Sequence, residues 1–254
     1  MDSASRLEEA DAVTRLWERD PSLFSDDPDV QVLVSNRLGW LGLAEEAAPV
    51  LAFADSLGWP REDVRAERIS DIVLLGMGGS SLAPLTLRET VPADAGTPTL
   101  EVLDTSSPTG VENVLTGLDP SSTAFVVASK SGGTIEPRSL YAVFRGWLEE
   151  SMDTATAGER FVATTDPGSP LEDFAREQGF GAVISTPPDV GGRYSALTAF
   201  GLLPAALTGV DVTEIVARAA AMEDGCRLPV AENPGARLAA WMNDAYEDGR
   251  DKLT

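Results

Sequence analysis

Apolar positions along this chain change their spacing at Ile69. Before it, residues 4–56 repeat apolar side chains at helical intervals, with breaks near Pro21 and Pro28 and a long candidate helix from Asp29 to Leu57. After it, short apolar runs alternate with amphipathic stretches. The runs Asp71–Leu75, Leu100–Leu103, Ala124–Ala128, Phe161–Thr165 and Ala182–Ile184 read as strands. Helical spacing returns between them, near Leu82–Thr90, Thr109–Leu115, Ile135–Glu150 and Leu171–Gln178. Beyond Pro188 the pattern is helical near Tyr194–Leu207, Val212–Met222 and Ala236–Tyr246. Strands with few polar interruptions, separated by helices, predict a parallel sheet covered on both faces. The expected fold is α/β: a three-layer αβα doubly wound domain with a five-stranded parallel sheet in flavodoxin-like order. The expected division is a helical arm over 1–60, the α/β domain over 61–210, and C-terminal helices over 211–254.

Two strand ends carry unusual punctuation. Asp71-Ile72-Val73-Leu74-Leu75 runs into Gly76-Met77-Gly78-Gly79-Ser80-Ser81, and Ala124-Phe125-Val126-Val127-Ala128 runs into Ser129-Lys130-Ser131-Gly132-Gly133-Thr134. Each reads as strand, small-residue loop, helix N-terminus, an arrangement that offers backbone N–H groups to an anion. In a doubly wound sheet the loops after strands one and three face each other across the switch-point crevice. Glycines at 78 and 79 let the backbone approach a phosphate, and the hydroxyls of Ser80, Ser81, Ser129, Ser131 and Thr134 add neutral donors. Such a cradle suits a terminal phosphate monoester.

Composition narrows the chemistry. The 254 residues are 43% hydrophobic, enough for a substantial core. A net charge of −22 disfavours nucleic acid and anionic membrane as partners. It does not forbid a small anion, because charges beyond about 8 Å are screened at physiological salt and local dipoles decide. No stretch approaches the roughly 20 apolar residues of a membrane helix, and Met1-Asp2-Ser3-Ala4-Ser5 lacks a signal peptide's basic and apolar regions. The chain is expected to be cytoplasmic. Cys226 is the lone cysteine and histidine is absent, which excludes an internal disulfide, a Ser-His-Asp triad and a histidine-bearing zinc site within this chain. Lys130 and Lys252 are the only lysines among 19 basic residues, and the first sits inside the second glycine loop.

Asp104, at the end of strand two, stands where a dinucleotide fold places its ribose-binding carboxylate. Against that class, Ser81 occupies the place of the fingerprint's third glycine, and a nicotinamide domain has no use for a second serine-rich loop.

Three blocks in order carry a family resemblance: Gly76-Met77-Gly78-Gly79-Ser80-Ser81-Leu82-Ala83-Pro84, Ser129-Lys130-Ser131-Gly132-Gly133-Thr134-Ile135-Glu136, and Asp189-Val190-Gly191-Gly192-Arg193-Tyr194-Ser195. Together they resemble the glucose-6-phosphate isomerase family, in its amino-terminal sugar-isomerase (SIS) domain. The run Ser195–Leu207 is similar to the isomerase half of bacterial transaldolase–isomerase fusion proteins. The resemblance implies that Gly79 and Ser80 contact the sugar and its phosphate. It implies that Ser129, Ser131 and Thr134 hold phosphate oxygens, with the Lys130 backbone amide contributing. It assigns Arg193 to the developing enediolate, which suits a proton abstraction beside a carbonyl, where a cation must face the oxygen that gains charge. The alternative for Arg193 is pairing with a surface carboxylate.

The second loop departs from the family. Ser131, Gly132, Gly133 and Pro137 stand where many members have threonine, an aromatic residue, threonine and threonine, so the loop is smaller. The family's catalytic glutamate, ring-opening histidine and late lysine lie downstream of any position present here. The expected reading is an amino-terminal piece of an isomerase, needing no cofactor, dimeric in its parent, and inactive alone. A stand-alone phosphosugar sensor and a dinucleotide-dependent oxidoreductase are the alternatives.

Overall fold

A computed structural model describes residues 2–47, 52, 69–93, 95–250 and 252. The arm comprises helices α1 (Ser3–Glu9), α2 (Ala12–Trp17), a 3-10 turn (Pro21–Leu23), α3 (Pro28–Ser35) and α4 (Leu43–Glu46). The doubly wound part follows as β1 (Asp71–Gly76), α5 (Gly79–Thr90), β2 (Thr99–Leu103), α6 (Pro108–Leu115), β3 (Thr123–Ala128), α7 (Ile135–Glu149), α8 (Thr154–Glu159), β4 (Phe161–Thr165), α9 (Pro170–Glu177) and β5 (Ala182–Ser185). A 3-10 helix (Gly192–Leu197) leads into α10 (Ala199–Leu207), α11 (Val212–Gly225) and α12 (Pro234–Glu247).

The sheet is parallel throughout, in the order β2-β1-β3-β4-β5. This is the flavodoxin-like order expected, with its switch point between β1 and β3. Alternation along the strands divides the core in two. Val73, Leu75, Phe125, Val127, Phe161 and Ala163 pack against Leu140, Tyr141, Phe144 and Leu148 of α7. The Phe125 ring lies 4.9 Å from both Phe144 and Phe161, and Tyr141 meets Phe161 edge-on at 4.8 Å. On the other face Ile72, Leu74, Val126, Ala128 and Val162 pack under Phe200, Leu203 and Leu207 of α10. Both faces of the central strands β1, β3 and β4 are therefore dry, which is why those strands read as nearly continuous apolar runs.

Three elements differ from the sequence reading, the first being the helix expected near Tyr194–Leu207, which is a 3-10 helix to Leu197 and an α-helix from Ala199 parted by extended Thr198. The long helix expected from Asp29 to Leu57 ends at Ser35, because Leu38 and Leu41 turn inward to 4% and 3% exposure and the Gly39 amide donates to the Asp189 carbonyl at 3.2 Å. Its expected continuation beyond residue 47, residue 52 apart, and the arm boundary near residue 60 lie outside the described residues. Helix α8 was not anticipated. Asp153 caps it by accepting from the Ala155 and Thr156 amides, a short-range signal within a stretch too short to show a period.

The arm docks on the C-terminal helices. Ser3 donates its amide to the Asp244 carboxylate at 3.0 Å, Arg6 pairs with Glu247 at 2.7 Å, and the Trp17 indole donates to the Cys226 carbonyl at 2.8 Å beneath the Arg227 guanidinium. Within the arm, Asp20 closes the 3-10 turn. The Ser22 hydroxyl, then the Arg15 guanidinium and the Ser22 amide, hold its carboxyl down from 3.8 to about 2. A depressed carboxyl contributes stability above its unfolded value and loses it as pH falls through the folded one. The turn is therefore expected to stay closed above pH 3.8 and to loosen as pH drops toward about 2. Carboxyl-carbon NMR shifts would test this, and an ordinary Asp20 titration midpoint would refute it.

Helix α12 leaves Leu238, Trp241, Met242 and Tyr246 exposed at 47–69%, an i, i+3, i+4, i+8 stripe along one face. Exposed apolar stripes of this kind drive association. Concentration-dependent self-association is expected in sedimentation, reduced by Trp241→Glu. A sharp monomer boundary at high concentration would count against it.

Candidate functional site

Strand β1 ends at Gly76 and β3 at Ala128, so the two glycine loops leave the sheet side by side at its carboxyl edge. Each opens a helix at the crevice: α5, of 12 residues, behind Gly78, and α7, of 15 residues, behind Thr134. Neither has a side-chain cap, and in α5 the Ser80, Ser81 and Leu82 amides turn back to the Met77 and Gly78 carbonyls. Two helix N-termini thus converge on one cavity of about 560 Å³.

Of the residues singled out from the sequence, Gly79, Ser80, Ser129, Lys130, Ser131 and Thr134 line it, and Gly78, Ser81 and Arg193 do not. Ser129 is 4% exposed, and its hydroxyl oxygen is buried with no hydrogen-bond partner. A buried unpaired hydroxyl is costly, and of the two among the described residues, Ser129 and Thr164, only Ser129 belongs to the lining. Its backbone is locked meanwhile. The Ser129 amide donates to the Thr164 carbonyl at 3.1 Å, and its carbonyl accepts from the Thr165 hydroxyl at 2.7 Å. Ser81 does not join the lining. It is 1% exposed and donates its hydroxyl to the Gly78 carbonyl at 3.0 Å, closing the first loop on itself.

Gly132 sits at φ +65°, and a Cβ there would lie 2.6 Å from the Leu171 amide nitrogen. The small second loop is therefore seated directly on the start of α9. On the first loop, a Cβ at Gly79 would lie 2.7–2.8 Å from backbone atoms of Gly192. Here the glycine brings the first loop into contact with the segment that carries Arg193.

Lys130 lines the cavity, yet its ammonium is committed. Nζ donates to both Asp166 carboxylate oxygens at 2.8 and 2.7 Å and to the Pro187 and Pro188 carbonyls at 3.3 and 3.0 Å. The Thr186 hydroxyl donates to Asp166 Oδ1 at 2.9 Å. This cluster ties the second loop to the end of β4 and to the chain leading into Gly191-Gly192-Arg193. The Lys130 backbone, not its charge, is left to face a ligand.

Arg193 lies in the 3-10 helix between two lining residues, Gly192 and Ser195, but its own side chain is exposed and outside the lining. Among the described residues it forms no ion pair, so the surface-carboxylate alternative finds no partner there. Asp104 is exposed at the end of β2 and also outside the lining. Its position gives the dinucleotide alternative no support. Arg37, Asp166, Pro188 and Ser195 also line the cavity and were not anticipated as site residues. Asp166 had a signal, since it ends β4 at the same edge of the sheet; Arg37, far off in sequence, had none.

Chemically, the arrangement can hold an anion by neutral donors and helix dipoles. Among the described lining residues the only carboxylate is Asp166, and it is occupied by Lys130. The cavity as described therefore presents no free general base.

Comparison with known proteins agrees with this geometry. The family model for phosphoglucose isomerase matches residues 56–246. The glucose-6-phosphate isomerase of Trichormus variabilis is 36% identical over 193 residues, covering 74% of this chain and 35% of that protein. The chloroplastic glucose-6-phosphate isomerase 1 of Arabidopsis thaliana is 33% identical over 244 residues, 93% of this chain and 38% of its own length. The chain thus spans little more than a third of these relatives. Among solved structures, a hypothetical protein from Thermus thermophilus superposes with a TM-score of 0.77 at 29% identity, covering 94% of this chain and 54% of the other. A glucose-6-phosphate isomerase from Chlamydia trachomatis superposes at 0.56 and 27% identity, over 85% of this chain and 38% of the other. With most of the described α/β domain inside the matched region and the two loops at its switch point, the chain belongs to the phosphoglucose isomerase family.

Proposed function

We propose that this chain is the phosphosugar-binding part of an aldose–ketose isomerase that interconverts glucose 6-phosphate and fructose 6-phosphate. In this reading Ser129, Ser131, Thr134 and the Lys130 amide hold the phosphate, and Gly79 and Ser80 meet the sugar end. Arg193 turns in toward the reacting carbons once substrate and the rest of the enzyme are present. The observation that carries the proposal is the buried, partnerless Ser129 hydroxyl in a cavity where two helix N-termini meet.

The chain alone is proposed to be inactive, because a proton must leave carbon beside a carbonyl and the lining carboxylate is held by Lys130. The parent enzyme is proposed to be a cytoplasmic homodimer of carbohydrate metabolism, in glycolysis and gluconeogenesis. The likeness of Ser195–Leu207 to transaldolase–isomerase fusions makes a transaldolase partner domain part of the same proposal.

A thermal-shift titration with glucose 6-phosphate, fructose 6-phosphate, glucose and NAD tests the reading. A ligand at about 100 times its dissociation constant stabilises by roughly 2.7 kcal/mol, which moves the midpoint by a few degrees. Only the phosphosugars are expected to shift it. Ser129→Ala with Thr134→Ala is expected to weaken them about tenfold, while Ser129→Ala alone leaves the free protein as stable or more so, since it removes an unpaired buried hydroxyl. A shift with glucose or NAD would overturn the assignment.

A second reading, a phosphosugar sensor without catalysis, is favoured by the exposed position of Arg193 outside the lining. Joining the chain to the remainder of its parent separates the two, since only the first predicts isomerisation.

A further inference from the structure

The cavity has one cationic wall residue that neither glycine loop supplies. Arg37 reaches it from the turn after α3, in the arm. Among the described residues Arg37 forms no ion pair, and its side-chain hydrogen bond goes to the carbonyl of its neighbour Asn36, at 2.7 Å. The other cations of this region are disposed differently: Lys130 is consumed by Asp166 and two carbonyls, and Arg193 stands outside the lining. In a chain of net charge −22, one unpaired guanidinium at a cavity floored by two helix N-termini is an unusual placement.

The turn behind Arg37 is anchored to the opposite wall. Gly39 donates its amide to the Asp189 carbonyl at 3.2 Å, and Arg19 stands 3.6 Å from the Asp189 carboxylate while donating to the Leu41 carbonyl at 3.0 Å. Trp40 stacks on Tyr194 with ring centroids 5.6 Å apart, and Leu38 and Leu41 are buried. A loose surface arginine would need none of this. The backbone is fixed while the guanidinium stays exposed and free to meet a ligand.

We propose that Arg37 is a ligand-binding residue that contacts the phosphate group and gives the site its preference for a doubly charged phosphate monoester over neutral sugars. The inference rests on the phosphosugar reading of the cavity and adds to it a cation from a separate element. A guanidinium suits the task because its planar fork matches two phosphate oxygens at once and is weakly hydrated, so little is lost in leaving water.

The test is calorimetric titration of the full chain with fructose 6-phosphate and, separately, inorganic phosphate, each at low and moderate salt. Arg37→Ala, Arg37→Lys and Ser129→Ala are measured beside the unsubstituted chain. Arg37→Ala is expected to lower affinity for both ligands about tenfold, the low end for a charge-assisted hydrogen bond, and to flatten the salt dependence. Arg37→Lys is expected to recover part of the loss, and the ligand-free thermal midpoints of both variants to match the parent, as befits an exposed side chain. Arg37→Ala binding with unchanged affinity and salt slope, while Ser129→Ala is weakened, would overturn the role of Arg37 and leave the phosphosugar reading standing. Loss confined to the sugar phosphate, with inorganic phosphate unaffected, would overturn the phosphate contact. Binding of neither ligand by the unsubstituted chain would overturn both.

Discussion

Gly79→Ala is expected to weaken fructose 6-phosphate binding on the order of 100-fold, the loss of two charge-assisted hydrogen bonds, and to cost about 1–3 kcal/mol of stability. The new Cβ would lie 2.7–2.8 Å from three backbone atoms of Gly192, and backbone cannot rotate aside as a flexible side chain can. The Gly79 carbonyl also accepts from the Ser195 hydroxyl at 3.4 Å, so the two loops are coupled where the methyl would enter. Relief requires the first loop and the 3-10 helix to separate. That motion widens the cavity between Ser80 and Gly192 and carries the α5 N-terminus away from the α7 N-terminus. Urea denaturation and calorimetric titration measure the two effects. Affinity preserved to within a few-fold would show that this contact does not set the cavity.

Asp166→Ala is expected to cost about 2 kcal/mol, less than the 3–5 kcal/mol of a fully buried pair because both side chains keep some solvent. Their exposures are 25% for Lys130 and 20% for Asp166, and the abandoned ammonium keeps only the Pro187 and Pro188 carbonyls as protein partners among the described residues. The Thr186 hydroxyl loses its acceptor in the same change. Replacing both partners, Lys130→Met with Asp166→Leu, is expected to recover most of the stability, since two apolar groups carry no unpaired charge. Phosphosugar affinity should stay weakened, because nothing then ties the second loop to the chain entering Gly191. A double variant as tight-binding as the parent would reduce the pair to a packing feature.

The fold was largely legible, and the reason is physical. The central strands β1, β3 and β4 are buried on both faces and leave little room for polar residues, so Ile72 to Leu75 and Ala124 to Ala128 announce themselves without any need for alternation. The order of the strands follows from right-handed crossovers and the common doubly wound patterns. Positions governed by distant contacts were not legible. The helix expected from Asp29 ended at Ser35 because Asp189, some 150 residues on, offers the Gly39 amide a better-placed acceptor. The site divided along the same line. Residues within the two loops were readable because strand, loop and helix follow one another locally. Asp166 was readable in principle as a strand-end carboxylate, but its pairing with Lys130 required the register of β3 against β4. Arg37 needed the docking of the whole arm.

That docking also sets an order of assembly during synthesis. The contacts that seat α1 join residues 241 apart, Ser3 to Asp244 and Arg6 to Glu247, while Trp17 waits for Cys226. Helix α1 therefore finds its partner only after the last helix described here has left the ribosome. The sheet and both glycine loops lie within Asp71–Ser185 and can form in the meantime. A nascent chain would then hold a neutral-donor cradle first, gain the Arg37 turn when Asp189 and Tyr194 emerge, and seat α1 last.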